Sequence, residues 1–195
     1  MTNRPHASRI GQVFFRLRSL TPIPFILVLI FFSQPTPLSI VLGSLLIVLG
    51  EWLRIWAVGY AGGSTRTRTL GTARDLVTTG PYAYVRNPLY LGNLVLSLGV
   101  CVIANVHWMI VVLLIGFLIQ YTPIIRSEET YLLDVCGDRY RAYCAAVSRF
   151  LPHPRPYVEP SDHDFSLRRA LKSEKRTLTA IVCVLILIAS QWLLR

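Results

Sequence analysis

The chain has 195 residues, is 53% hydrophobic and only 15% charged, and has a mean hydropathy of +0.49. A soluble domain of this length needs far more charge to cover its surface, so that class is excluded. The net charge of +10 does not point to nucleic acid: the basic residues fall in loops between apolar runs, with no reading helix or aromatic-basic sheet pattern, and an anionic membrane leaflet is the simpler partner.

In chain order, the N-terminal MTNRPHASRIGQVFFRLRSL is basic, and no small-residue cleavage site follows the first apolar run, so no signal peptide is expected. The pattern then predicts an all-α integral membrane protein with about five transmembrane helices and short interfacial helices. The first span runs from Leu20 to Ser33, with Arg16 and Arg18 placed to snorkel at its end. After the uncharged turn SQPTP, the second runs from Leu38 to about Gly59 and contains Glu51 and Arg54. The third starts at Pro88 and ends near Ala104; after the ANVHW turn, the fourth runs to about Ile125. EETYLLDVCGDRYRAYCAAVSRFLP follows, with helical spacing interrupted by Gly137, and predicts two short helices on the membrane surface. A proline-rich basic linker over 153–176 leads to the last span, 177–195. The divisions expected are thus a basic N-terminus over 1–19, a core over 20–152, the linker and the final helix.

Lys and Arg populate the N-terminus, the Gly62–Arg86 loop and the Arg126–Arg176 segment, whereas SQPTP and ANVHW carry none. By the positive-inside rule the N-terminus is cytosolic and the C-terminus lies outside, in a bacterial inner membrane or its equivalent. The four cysteines show no CxxC pair or zinc spacing, so no metal is expected; Cys101 and Cys183, within apolar runs, read as small core residues.

Two clusters at span ends carry the chemistry. Gly80–Asn93, GPYAYVRNPLYLGN, packs three tyrosines, an arginine and an asparagine into the entrance of the third span. An interfacial aromatic belt accounts for tyrosines there, and Asn87 with Pro88 reads as an N-cap followed by a good first helical residue. Such a helix start also presents free N–H groups to an anion. At the end of the fourth span, Glu128 and Glu129 stand beside Arg126. As a solvated helix end they are unremarkable; at a membrane surface they are costly unless something positive binds there. Glu51 and Arg54, three residues apart, form either an ion pair or, for Glu51, part of a ligand site.

LVTTGPYAYVRNPLYLGN (Leu76–Asn93), followed about forty residues on by EETYLLDVCGDRYRAYCAAVSRFLP (Glu128–Pro152), resembles the isoprenylcysteine carboxyl methyltransferase and phospholipid methyltransferase families. The likeness covers roughly Leu38 to Pro152. It implies S-adenosylmethionine as cofactor, held by Arg74, Asp75, Leu76, Val77 and Tyr82 from the loop. Arg86, Asn87, Pro88, Leu89 and Tyr90 would hold it from the start of the third span. Glu128 and Glu129 would close the site, with Arg126 orienting the methyl acceptor; these three are the catalytic candidates. Tyr140, Tyr143 and Arg149 would shape a lid, and Gly50-Glu51-Trp52 matches a cofactor-binding stretch of the phospholipid branch. The isoprenylcysteine enzymes carry histidine where this chain has Asn87, and asparagine takes no proton near neutral pH, so position 87 is not a base.

The activity implied is methyl transfer to a hydrophobic or lipidic acceptor at the cytosolic membrane face. Alignment of the nucleophile supplies much of the acceleration in such chemistry. Two alternatives stand: an NADPH-dependent membrane reductase of the sterol-reductase type, and a non-catalytic membrane module.

Overall fold

The computed structural model describes residues 9–18, 20–61, 76–159 and 164–194, which form helices and their connections with no strand among them. Six helices follow in order: α1 (Arg9–Leu17), α2 (Pro22–Phe32), α3 (Pro37–Ala61), α4 (Pro88–Ala104), α5 (His107–Ala146) and α6 (Leu167–Leu193), with a 3-10 turn at Gly80–Ala83 before α4. By length and apolarity α3, α5 and α6 can each cross a bilayer, and the bent pair α1–α2 supplies a fourth crossing when counted as one span. The fifth expected crossing corresponds to α4, whose 17 residues lie at the short end of the spanning range. Many large apolar side chains are exposed, among them Leu27, Leu45, Val48, Ile115, Leu118 and Ile186, as lipid-facing helices require. The protein is a multi-pass membrane protein.

Three elements differ from the sequence expectation. Arg9–Leu17 is a separate amphipathic helix: Phe15 is buried with Ile124 and Ile125 of α5, while Arg18 lays its guanidinium 3.7 Å over the Phe15 ring. The fourth span does not stop near Ile125 but continues to Gly137, where the backbone turns through φ 53° and ψ −124°, a conformation suited to glycine. His107 to Cys136 therefore makes a rod of about 45 Å, longer than the hydrocarbon core, and only Asp138–Ala146 remains as a short surface helix. Finally, α6 begins at Leu167 rather than at position 177, because Ser166 caps it by accepting from the Arg169 N–H at 3.4 Å and the basic stretch LRRALKSEKR continues into the apolar run without a breaker. Cys101 is buried as expected, but Cys183 is exposed on the apolar surface of α6, since in a lipid-facing helix an apolar residue need not be a core residue.

The bundle is built around α3 and α4. Gly43 and Gly50 of α3 face Gly99 and Gly92 of α4, so close that a Cβ added at Gly43 would lie 2.5 Å from the Gly99 carbonyl and one at Gly50 would lie 2.6 Å from the Leu96 nitrogen. Small residues at matched seven-residue spacing let two backbones approach to near contact, the main source of helix affinity in lipid, where apolar burial gives no advantage. Around this pair, α5 packs on α4, α6 packs on α3 and α2, and α1 packs on α5.

The two ends of the bundle differ in chemistry. At one end the uncharged turns meet: the Gln34 N–H donates to the Ala104 carbonyl at 2.9 Å, and Asn105 Nδ2 donates to the Gln34 carbonyl at 3.1 Å. A dry cluster lies beneath them, with Leu29, Cys101, Ala104, Met109 and Ile188. The opposite end gathers the 3-10 turn, the start of α4, the far half of α5 and the start of α6, and holds nearly all of the described charge.

Candidate active site

Pro88 opens α4 as its missing N–H predicts, but Asn87 does not cap it with its side chain. Instead Asn87 Nδ2 donates to the Arg149 carbonyl at 3.2 Å. This is one of a series of bonds by which residues 143–157 strap the 82–87 segment. The Arg86 N–H donates to the Ser148 carbonyl at 2.9 Å, the His153 N–H to the Tyr84 carbonyl at 2.8 Å, the Tyr157 N–H to the Ala83 carbonyl at 2.9 Å, and Tyr143 Oη to the Tyr82 carbonyl at 2.7 Å. Leu76, Tyr140, Tyr143 and Val147 form the apolar underside of this strap. The aromatic residues of EETYLLDVCGDRYRAYC thus hold the loop in place through one small core.

Under the strap the two motifs meet. Tyr90, in the first turn of α4, donates its Oη to Glu128 Oε1 of α5 at 2.8 Å. Glu129, the next residue, is gripped by two guanidinium groups: Arg86 NH1 lies 3.3 Å from Oε1, and Arg149 donates Nε to Oε1 at 3.0 Å and NH2 to Oε2 at 2.5 Å. The fork geometry of Arg149 on a carboxylate is the strong form of this contact. The positive partner that adjacent glutamates require at a membrane surface is therefore supplied within the protein for Glu129. Arg86 NH1 also reaches Cys144 Sγ at 2.7 Å. Burial pushes the Tyr82 phenol up from its ordinary range, and the Glu128 carboxylate adds to the effect, so Tyr82 keeps its proton in the field of that carboxylate.

Several polar atoms here have no protein partner. Among the described residues, Thr78 Oγ1, Thr79 Oγ1 and Arg86 Nε are buried without a hydrogen bond, as is Glu159 Oε2, whose sister oxygen accepts from Arg139 at 2.6 Å. Thr79 and Glu159 line a cavity of about 400 Å³ together with Tyr60, Gly80, Tyr157 and Phe165. An unpaired buried polar atom costs about 1–3 kcal/mol, a cost that a polar ligand reaching Thr79 and Glu159 in this cavity would relieve.

Of the residues singled out from sequence, Tyr82, Arg86, Asn87, Pro88, Tyr90, Glu128 and Glu129 converge here. Leu76 is buried beneath the strap and Val77 is half-buried beside it, while Leu89 is half-buried in the first turn of α4. Arg74 and Asp75 lie outside the described residues. Arg126 is on an exposed face of α5, and Glu129 pairs with Arg86 and Arg149 rather than with it. The Glu51–Arg54 contact exists at 3.5 Å, but it belongs to a larger buried group that includes Glu174. Sequence reasoning gave Arg149 only a lid-shaping place and missed the pairing of Asn93 and Tyr121, at 3.4 Å, beside Tyr90. Their signal was available in part: Asn93 falls one turn after Tyr90 on α4, on the same stripe.

Fold and site together define a class: a multi-pass helical membrane protein with an arginine-, tyrosine- and glutamate-lined site at the charged end of its bundle. Within that class the chain belongs to the phospholipid methyltransferase family, whose profile matches residues 38–139. The chain is 30% identical over 117 residues to the cobalt-zinc-cadmium resistance protein CzcN of Cupriavidus metallidurans, covering 60% of this chain and 50% of that protein. It is also 30% identical over 125 residues to the protein-S-isoprenylcysteine O-methyltransferase of Saccharomyces cerevisiae, covering 62% and 52%. The enzyme of the same description from Schizosaccharomyces pombe is 32% identical over 108 residues, covering 53% and 45%. The chain spans about half the length of the curated relatives it matches. No solved structure matches it.

Proposed function

We propose that the protein is an S-adenosylmethionine-dependent methyltransferase acting on a hydrophobic or lipidic acceptor, with its site at the cytosolic face of the membrane. The observation that carries this reading is the meeting of the two motifs, Tyr90 with Glu128 and Arg86 with Glu129. Family membership and the fungal relatives' printed activity support it.

The residues present fit this cofactor. Arg86 Nε is a buried donor without a partner, suited to a carboxylate, and the N–H groups opening α4 lie next to it. Thr78, Thr79 and Glu159 offer unpartnered oxygens for hydroxyl and amino groups. When bound, S-adenosylmethionine supplies a methyl already activated on a sulfonium, which the acceptor takes while a neutral thioether leaves. The protein's own contribution is then binding, alignment and exclusion of water. Tyr82 and Tyr90 both lie close to Glu128, and aromatic rings beside a carboxylate make surroundings that favour a cation. The bonds from residues 143–157 hold the 82–87 segment, and with it Arg86, in place beside Glu129.

Arg126 takes the acceptor. It stands two residues before Glu128 on α5, about 3 Å away along the axis, but on an exposed face where a lipidic molecule arrives from the bilayer. Arg126→Ala is expected to raise the acceptor KM about tenfold while leaving S-adenosylmethionine affinity within twofold, as initial-rate kinetics and calorimetry would read separately.

The deciding experiment incubates the purified protein in nanodiscs with methyl-labelled S-adenosylmethionine and host membrane lipids. Label in a lipid-extractable product, lost in Glu128→Gln, is the expected result. Saturable binding of NADPH with no binding of S-adenosylmethionine would replace this reading with a reductase.

A further inference from the structure

The last helix ends far from the site, yet its first turns reach it through buried polar groups. Glu174, fully buried on α6, faces Arg54 of α3. Arg54 donates Nε to Glu174 Oε2 at 3.1 Å and NH2 to the same oxygen, and NH2 also reaches Thr177 Oγ1 at 3.1 Å. From the other edge of the guanidinium, NH1 donates to Asn93 Oδ1 on α4. That bond fixes which way the Asn93 amide faces, because Arg54 has only donors to offer and must meet the oxygen. The amide nitrogen is thereby turned toward Tyr121 Oη on α5, 3.4 Å away. The Tyr121 ring packs against Tyr90 with centroids 5.0 Å apart and against Phe117 at 4.4 Å, and Tyr90 holds Glu128.

Each link is directional. Removing the Glu174 charge leaves the buried guanidinium with Glu51, at the longer distance of 3.5 Å, as its carboxylate partner, and losing the closer partner of a buried pair is destabilising enough to draw Arg54 toward Glu51. When Arg54 moves, Asn93 is no longer held in one orientation, Tyr121 loses its donor, and the ring that limits Tyr90 is freed. The N-terminal end of α6 is also fixed to α3 by the Ser166 N–H on the Gly59 carbonyl at 3.1 Å and by the Phe165 ring against Gly59, where a Cβ would lie 2.2 Å from the ring.

We infer that Glu174 is a positioning residue for the Tyr90–Glu128 pair, acting through Arg54, Asn93 and Tyr121, so that docking of the last helix and competence of the site are linked. The inference rests on the proposed methyltransferase reading only where S-adenosylmethionine is used as the probe.

A double-mutant cycle tests it on the full chain in nanodiscs, with wild type, Glu174→Gln, Tyr90→Phe and the double variant. Two quantities are read: the S-adenosylmethionine dissociation constant and the thermal midpoint without ligand. Groups in one network give non-additive effects, whereas separate sites add. Glu174→Gln is expected to weaken binding at least tenfold in the wild-type background but less than threefold on Tyr90→Phe, with a correspondingly smaller drop in midpoint. Equal losses in both backgrounds overturn the inference, for that is the result if Glu174 only fastens α6 to α3. If wild type binds no S-adenosylmethionine, the methyltransferase reading falls and the ligand-free cycle alone decides the coupling. Should Glu174→Gln fail to fold, Glu174→Asp, which keeps the charge but draws it back by one methylene, takes its place with the same two outcomes.

Discussion

Tyr90→Phe and Glu128→Gln each weaken S-adenosylmethionine binding by about 10- to 100-fold without unfolding the protein, as titration calorimetry on purified, thermally characterised samples should show. Both substitutions preserve size, so neither opens a cavity. Tyr90→Phe removes the single hydroxyl that fixes Glu128 at 2.8 Å, and Glu128→Gln keeps the shape of the acceptor but not its charge. A hydrogen bond to a charged group contributes about 1.5–3 kcal/mol. Spent on holding Glu128 toward a ligand, that amount corresponds to the stated range in affinity, since about 1.4 kcal/mol is tenfold. Unchanged affinity in both variants, with fold retained, would remove this site as the cofactor site. Tyr84, which packs on Trp56 with ring centroids 6.2 Å apart and has no bond to the glutamates, is the matched control: Tyr84→Phe leaves binding within about twofold of wild type.

The second large effect is on the fold. Gly50→Leu cannot be accommodated where α3 crosses α4, because even its Cβ would stand 2.6 Å from the Leu96 nitrogen and 2.9 Å from the Gly92 carbonyl. Those are backbone atoms of a neighbouring helix, so relief comes only by separating the helices. Separation in turn pulls Gly92 from the Arg54 side chain, which it approaches closely enough that a Cβ there would lie 2.7 Å from Arg54 Cγ. Overpacking of a tight core costs about 1–3 kcal/mol or more, and here it also disturbs a buried ion pair. Loss of a folded monodisperse species in detergent is the expected outcome. Gly116→Leu on α5 is the control: nothing lies within 4 Å of a Cβ at that exposed position, and replacing a helical glycine stabilises by roughly 0.5–1 kcal/mol. Equal behaviour of the two variants would show that the glycine contact does not hold α3 to α4.

Much of the site was legible in the linear chain because its residues are clustered there. Tyr82, Arg86, Asn87 and Tyr90 lie within nine positions, and Glu128 and Glu129 are adjacent, so their polarity at two span ends marks them without knowledge of the fold. What escaped was the assignment of partners. Asn87 has the residue type of a helix cap, yet it ties down the strap through the Arg149 carbonyl, 62 positions away. Arg126 is next door to the glutamates in sequence, but the helix turns it to an exposed face, and the cations that reach Glu129 come from residues 86 and 149. Sequence adjacency on a helix separates side chains by about 100° per residue, which is why the neighbour in the chain is not the neighbour in space.

The amino-acid sequence by itself determined that this is an all-helical membrane protein with uncharged turns at one end, charge at the other, and a tyrosine-rich entrance followed by an acidic helix. Those properties follow from apolar length and the cost of charge in hydrocarbon, both of which are sums over local residues. Only the tertiary structure decided that α3 and α4 cross on glycines and that Arg54 finds Glu174, 120 residues away. The physical reason is that lipid rewards any apolar face equally, so leucines that meet lipid and leucines that meet a helix read alike. The crossing of backbones at four small residues selects one arrangement, and that arrangement sets which buried charges meet.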